Sequence, residues 1–191
     1  MACAVWEAAQ ENTLFCIRDD GRLYYRDILG SDGVFQSLFY SQRKLLVAHV
    51  SSFRQKILLV TDDGRLALLH HNQMQDFQFI YELDDDPILM GSCGYDHIAA
   101  VTREGNVLTA GDGHNGQLGR GYDFSKSDVA FGIIDRSFCG GQAIVMVTTG
   151  LDFTVLLDES GRVYSFGSNQ YGQLGLGHCN EIDDLILFDD L

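Results

Sequence analysis

The sequence predicts an all-β chain, a β-propeller-type array of about four four-stranded blades. Three observations carry this reading. Four segments share one grammar: "NTLFCIRDDGRLYYR", "KILLVTDDGRLALLH", "HIAAVTREGNVLTAG" and "FTVLLDESGRVYSFG". Their turn glycines, Gly21, Gly64, Gly105 and Gly161, recur 43, 41 and 56 residues apart. Finally, each segment is flanked on both sides by a further short apolar run, and strong helical periodicity is missing.

Each element follows from local chemistry. Asp-Gly or Glu-Gly between two runs rich in Leu, Val and Tyr is a hairpin signal, because glycine reaches positive φ without a Cβ clash. The leading runs "ACAVW", "LLVAHV", "PILMGSC" and "AIVMVTT" supply a first strand to each unit. The trailing runs "GVFQSLFY", "FQFIYEL", "VAFGIID" and "DLILFDD" supply a fourth. The order strand, strand, turn, strand, connection, strand is the content of a propeller blade. Blades are expected at about 1–42, 43–86, 87–138 and 139–191, within one domain over 1–191. The single proline, Pro87, falls at a strand start, where no ladder hydrogen bond is lost.

Composition excludes several classes of function. Net charge is −14, which repels phosphate backbones and anionic lipid headgroups, so neither direct nucleic-acid binding nor membrane association is expected. The stretch "MACAVWEAAQENTLFC" lacks a basic leader and does not read as a signal peptide. The five cysteines (Cys3, Cys16, Cys93, Cys139, Cys179) are scattered and form no C-x-x-C pair. That pattern predicts free thiols and an intracellular setting, cytoplasmic or nuclear.

Two glycine-rich loops carry the strongest local motif: "GDGHNGQLGRG" from Gly111 and "GSNQYGQLGLG" from Gly167. Neither has the Lys-Ser/Thr of a phosphate-binding loop, and each follows a hairpin rather than opening a helix. Asp112 and Asn115 lack the acidic spacing and distal Glu of a calcium loop. The expected role is architectural: glycines turn the backbone, Leu118 and Leu174 plug the space between blades, and Gln117 and Gln173 satisfy loop carbonyls. His97 is expected to make a structural hydrogen bond. His70-His71 and His178-Cys179 have no companions at ligand spacing. No catalytic, cofactor or metal site is expected. The acidic runs at Asp84–Asp86 and in "EIDDLILFDDL" are read as charged sheet edges or as a surface that steers a basic partner.

The segments "GYDHIAAVTREGNVLTAGDGHNGQLGRG" and "GLDFTVLLDESGRVYSFGSNQYGQLGLG" resemble the repeat of the regulator of chromosome condensation family. The fourth unit matches almost throughout, with Phe153 at the family's usual His, and the third keeps His97 but has Ala110-Gly111 at the aromatic-Gly pair. The resemblance covers residues 88–188, and units one and two keep only the hairpin. It implies a propeller, usually of seven blades, where this chain supplies about four. A closed four-bladed ring, a half-propeller pairing with itself or another chain, an open array and a piece of a longer propeller all satisfy that count. The function it implies is a non-enzymatic protein-interaction or scaffold module. The alternative is guanine-nucleotide exchange on, or regulation of, a small Ran-like GTPase. Expected partners are another protein, basic or a small GTPase, and a second chain completing the propeller. Propeller geometry places recognition on loops, and the candidate partner-binding residues are Asp96, His114, Asn115, Asn169, Gln170 and Tyr171.

Overall fold

The computed structural model describes residues 6–7, 13–27, 34–37, 39–40, 43–44, 46–54, 56–70, 78–82, 85–121, 128–180 and 182–187. Strands build four four-stranded antiparallel sheets, each a simple meander. The first comprises β1 (Trp6–Glu7), β2 (Thr13–Ile17), β3 (Leu23–Asp27) and β4 (Gln36–Ser37). A two-stranded hairpin, β5 (Phe39–Tyr40) with β6 (Arg43–Lys44), follows. The second sheet comprises β7 (Val47–Phe53), β8 (Lys56–Thr61), β9 (Leu66–His70) and β10 (Gln78–Tyr81). The third comprises β11 (Ile88–Cys93), β12 (His97–Thr102), β13 (Val107–Gly111) and β14 (Asp128–Ile134). The fourth comprises β15 (Ile144–Thr149), β16 (Phe153–Asp158), β17 (Val163–Gly167) and β18 (Ile182–Leu187).

The expected element order holds, with one correction. The run "GVFQSLFY" is not a single outer strand: it divides into β4 and β5. The polar pair Ser41-Gln42 separates two strand-forming pairs by two residues, a spacing that favours a local hairpin over a longer fourth strand. The leading residues Ala2–Val5, the acidic Asp84 and the final residues 188–191 lie outside the described residues. The four hairpin glycines all adopt positive φ, from 75° at Gly21 to 89° at Gly161.

The chain forms two compact units, Met1–Gly91 and Ser92–Leu191. The first is centred on Phe15, Leu23, Val47, Val50, Ile57, Leu59, Ala67 and Leu69, with Ile17, Tyr25 and Phe79 packed on that cluster. Their contribution is the ordinary one of apolar area removed from water, about 25 cal/mol per Å². In the second unit Ala99, Val101, Val107, Leu108, Leu118, Ile144, Val147, Leu156, Tyr164, Phe166 and Leu174 are buried.

One backbone hydrogen bond recurs wherever a hairpin meets the strand that opens the next sheet. The Val47 amide donates to the Gly21 carbonyl at 2.7 Å, Ile88 to Gly64 at 2.9 Å, and Ile144 to Gly105 at 3.1 Å. The contact is close enough to leave no room for a side chain on the turn. A Cβ at Gly64 would stand 2.9 Å from the Pro87 Cα, and one at Gly105 2.7 Å from the Ala143 Cα. Pro87 sits just ahead of β11, where its missing N–H takes nothing from the ladder.

Candidate functional site

The two glycine loops are superimposable in their chemistry. Gly111 and Gly167 close their strands at φ 111° and 109°, a region that side chains rarely adopt. The next amide in each case turns back: Asp112 N donates to Asp96 O, and Ser168 N to Asp152 O, both at 2.8 Å. In the first loop the Gln117 Oε1 accepts from the Asn115 amide at 2.8 Å, and its Nε2 donates to Asp112 Oδ2 at 3.1 Å. In the second loop Gln173 Oε1 accepts from the Tyr171 amide at 2.9 Å, and Nε2 donates to Ser168 Oγ at 3.2 Å. The glutamines therefore serve amides and neighbouring side chains rather than loop carbonyls, because their Oε1 faces the N–H that the tight turn leaves over. The carbonyls go elsewhere. Thr109 Oγ1 donates to Leu118 O at 2.9 Å, and Thr154 Oγ1 to Gln117 O at 3.0 Å. Leu118 and Leu174 are both buried.

His97 is buried, and its Nε2 lies 3.0 Å from Thr154 Oγ1, a structural bond between the third and fourth sheets of the second unit. Alongside it, the Thr149 amide donates to Ser92 Oγ, and the Tyr95 amide to Leu151 O, each at 3.0 Å.

The six sequence-predicted residues separate into two groups. Asp96, His114 and Gln170 are exposed, Asn115 is half-buried, and Tyr171 is 89% exposed. Asn169 is 0% exposed. Its Nδ2 donates to His178 O at 2.8 Å and Asn180 O at 2.9 Å, while its Oδ1 accepts from Leu174 N at 3.1 Å. Asn169 thus pins the second loop from inside rather than standing on its surface.

Sequence reasoning passed over Tyr95, Leu151 and Asp152, which gather around Asp96. The carboxyl of Asp152 is pushed above its ordinary value, first by burial and then by the charges of Asp112 and Asp96. Those three acids come from the β11–β12 turn, the first glycine loop and the β15–β16 turn. His114 Nδ1 is hydrogen-bonded to Asp112 Oδ1. Tyr95 and Leu151, tied by their backbones, are both exposed, Leu151 by 49%. The signal was in the sequence: "GYDH" and "GLDF" place an exposed apolar residue and an acid at the same point of two repeats.

A second polar cluster closes the fourth hairpin. Buried Asp158 accepts from Ser160 N and Arg162 N at 2.9 Å each, from Arg162 Nε at 2.8 Å and from Tyr164 OH at 3.0 Å. Burial by itself raises this carboxyl, but the bonds from Ser160, Arg162 and Tyr164 outweigh it and hold the group well below the usual carboxylate range. Burial, and then donation to Asp158, push the Tyr164 hydroxyl up to about 12. The cluster is closed on itself and supplies structure rather than a reaction centre. Among the described residues no group of three His, Cys, Asp or Glu side chains is placed to hold a metal ion. Of the described cysteines, Cys16, Cys93 and Cys139 are buried and Cys179 is exposed, all as free thiols.

Four-stranded antiparallel meanders, latched sheet to sheet at their hairpins, define blades of the β-propeller class. The regulator of chromosome condensation (RCC1) repeat matches residues 91–117 and 144–173, so the chain carries copies of that repeat. It is 34% identical over 114 residues to a protein RCC2 homolog of Danio rerio, covering 60% of this chain and 22% of the relative. It is 42% identical over 85 residues to a secretion-regulating guanine nucleotide exchange factor of Bos taurus, covering 44% of this chain and 18% of the relative. Among solved structures it resembles Prp20p from Saccharomyces cerevisiae, described with its binding to Gsp1p and histones. The TM-score is 0.70 at 13% identity, over 96% of this chain and 50% of that one, a likeness of fold. The chain spans about a fifth of the length of these curated relatives. No described helix is long and apolar enough to cross a membrane.

Proposed function

We propose that this chain is a non-enzymatic protein-interaction module whose blades act together over 1–191, and that the loop end of its second unit receives a basic segment of a partner protein inside the cell, in cytoplasm or nucleus. The observation that carries this reading is the convergence of Asp96, Asp112 and Asp152 beside the exposed pair Tyr95 and Leu151. Carboxylates steer and orient a cation, and an adjoining apolar pair gives it a surface on which to lose water. Asp96, His114, Asn115, Gln170 and Tyr171 remain in the proposed surface, and Asn169 supports it from beneath. The histone binding described for Prp20p is consistent with a basic partner. Binding of the full chain to a Lys/Arg-rich peptide is expected to weaken by about tenfold or more in an Asp96→Asn, Asp152→Asn double variant, and to weaken with salt. Unchanged affinity in that variant would overturn the reading.

The alternative, regulation of or nucleotide exchange on a small Ran-like GTPase, is favoured by the identity to the guanine nucleotide exchange factor. Accelerated release of fluorescent GDP from a small GTPase by the purified chain decides for it.

A further inference from the structure

The first glycine loop belongs to the third blade by sequence, yet it is seated on the fourth. A Cβ built on Gly167 would stand 3.2 Å from the Gln117 Cα, and one on Gly119 2.7 Å from the Phe166 ring. The loop backbone and β17 therefore meet closely at both points. Thr154, on β16, adds a hydrogen bond: its Oγ1 donates to the Gln117 carbonyl at 3.0 Å. A carbonyl can only accept, so the one hydroxyl hydrogen of Thr154 goes there. The same oxygen must then accept from His97 Nε2, 3.0 Å away, which puts the imidazole proton on Nε2. His97, Gln117 and Thr154 are each no more than 1% exposed.

The series reaches the surface through the Gln117 side chain. Its Oε1 accepts from the Asn115 amide at 2.8 Å, and its Nε2 donates to Asp112 Oδ2 at 3.1 Å. Asp112 Oδ1 is bonded to His114, and the Asp112 amide is tied to Asp96 O. Both carboxylate oxygens of Asp112 are thus held, and the group stands in one orientation before a partner arrives. The bonds start on the third blade at β12, cross to the fourth at β16, and return to the third in its loop.

We propose that Thr154 and His97 are positioning residues for recognition of a basic segment: they touch no partner, and they fix Asp112 through Gln117. This rests on the surface of Asp96, Asp112 and Asp152 receiving a cation. It makes the acidic surface a product of two blades in contact rather than of the third alone. A carboxylate that is already fixed loses less rotamer freedom when a cation meets it, so releasing it weakens binding. Linkage makes the effect reciprocal, and a bound basic segment tightens the contact between the two blades.

Binding of a fluorescent Lys/Arg-rich peptide to the full chain, titrated at several salt concentrations, tests this. Thr154→Val keeps the side-chain shape and removes the hydroxyl. It is expected to weaken binding about tenfold and to make it less sensitive to salt, since the Asp112 charge is no longer held in place. Thr154→Ser returns the hydroxyl and is expected to recover both. Gln117→Met keeps the carbonyl that Thr154 reaches but cuts the arm to Asp112, and is expected to act as Thr154→Val does. It carries the test should Thr154→Val fail to fold. Thr102→Val removes a buried hydroxyl at the hairpin end of the third blade, where Asn106 N is the donor, and is expected to lower stability with binding intact. Wild-type affinity and salt dependence in folded Thr154→Val or Gln117→Met overturns the proposal, as does weakening of the same size by Thr154→Ser or Thr102→Val. Absence of binding by the wild-type chain is a different failure, which removes the acidic surface itself and the positioning roles with it.

Discussion

The third and fourth blades are built on one frame and filled differently. Gly111 and Gly167 share a backbone, Gln117 and Gln173 share a pattern of bonds, and Leu118 and Leu174 share a depth. The polar interiors differ. In the hairpin of the third blade, Thr102 Oγ1 accepts from the Asn106 amide, a single neutral bond. At the same point the fourth blade has Asp158, which accepts from two amides, a guanidinium and a phenol. In the glycine loop the third blade has Gly113 where the fourth has Asn169. The repeat thus prescribes the path of the backbone, while each blade solves the burial of its own polar groups.

The sharpest way to break the comparison is to attack what the blades share. A Cβ on Gly111 would stand 2.7 Å from the His97 Cα, and one on Gly167 2.6 Å from the Asp152 carbonyl and 2.8 Å from the Phe153 Cα. Backbone cannot yield as a flexible side chain does. Gly111→Ala and Gly167→Ala are each expected to cost about 4 kcal/mol or more, from left-handed strain plus overpacking. Denaturant melts should show both variants equally damaged, and a mild effect in one alone would end the equivalence.

The next test addresses what only the fourth blade has. Asn169→Ala strands two carbonyls and an amide, with an expected loss of about 3 kcal/mol. Stability within experimental error of wild type would mean that these bonds do not hold the second loop.

A smaller effect depends on pH. The folded state holds the Asp158 carboxyl below its unfolded value, so this stabilisation is complete above about pH 4 and fades as the pH falls through and beneath that point. Asp158→Asn is expected to lower stability at neutral pH by about 2 kcal/mol and to flatten the acid limb of a Tm-against-pH curve. Thr102, at the same point of the third blade, carries no carboxyl. An acid limb as steep in the variant as in wild type would mean that other carboxylates dominate it.

The frame was legible in the sequence for a physical reason: positive φ and period-two apolarity are local demands that leave local marks. Hairpins, sheet order and the glycine loops all follow from such marks. Asn169 was misplaced on the surface because polarity in a loop ordinarily signals solvent, and its burial depends on residues 178–180 returning to cover it. The acidic surface was half seen. Asp96 stood out as a turn residue, but its proximity to Asp112 and Asp152 arises only when two turns and a loop are stacked. Asp158 lay in plain view, yet its partners Ser160, Arg162 and Tyr164 are close in sequence and meet only because the hairpin folds Arg162 and Tyr164 back over it.

The latch from hairpin carbonyl to following strand has a consequence for grafting. The latch holds neighbouring sheets at their hairpin ends, while at the opposite end the glycine loop of the third blade ties into the fourth, Gln117 O accepting from Thr154 Oγ1. The glycine loop is therefore no place for an insertion, although it lies in the connection between β13 and β14. The later part of that connection, past Gly121, is the natural insertion point, where an epitope, a fluorophore site or a guest domain leaves both the latch and the Gln117 bond in place.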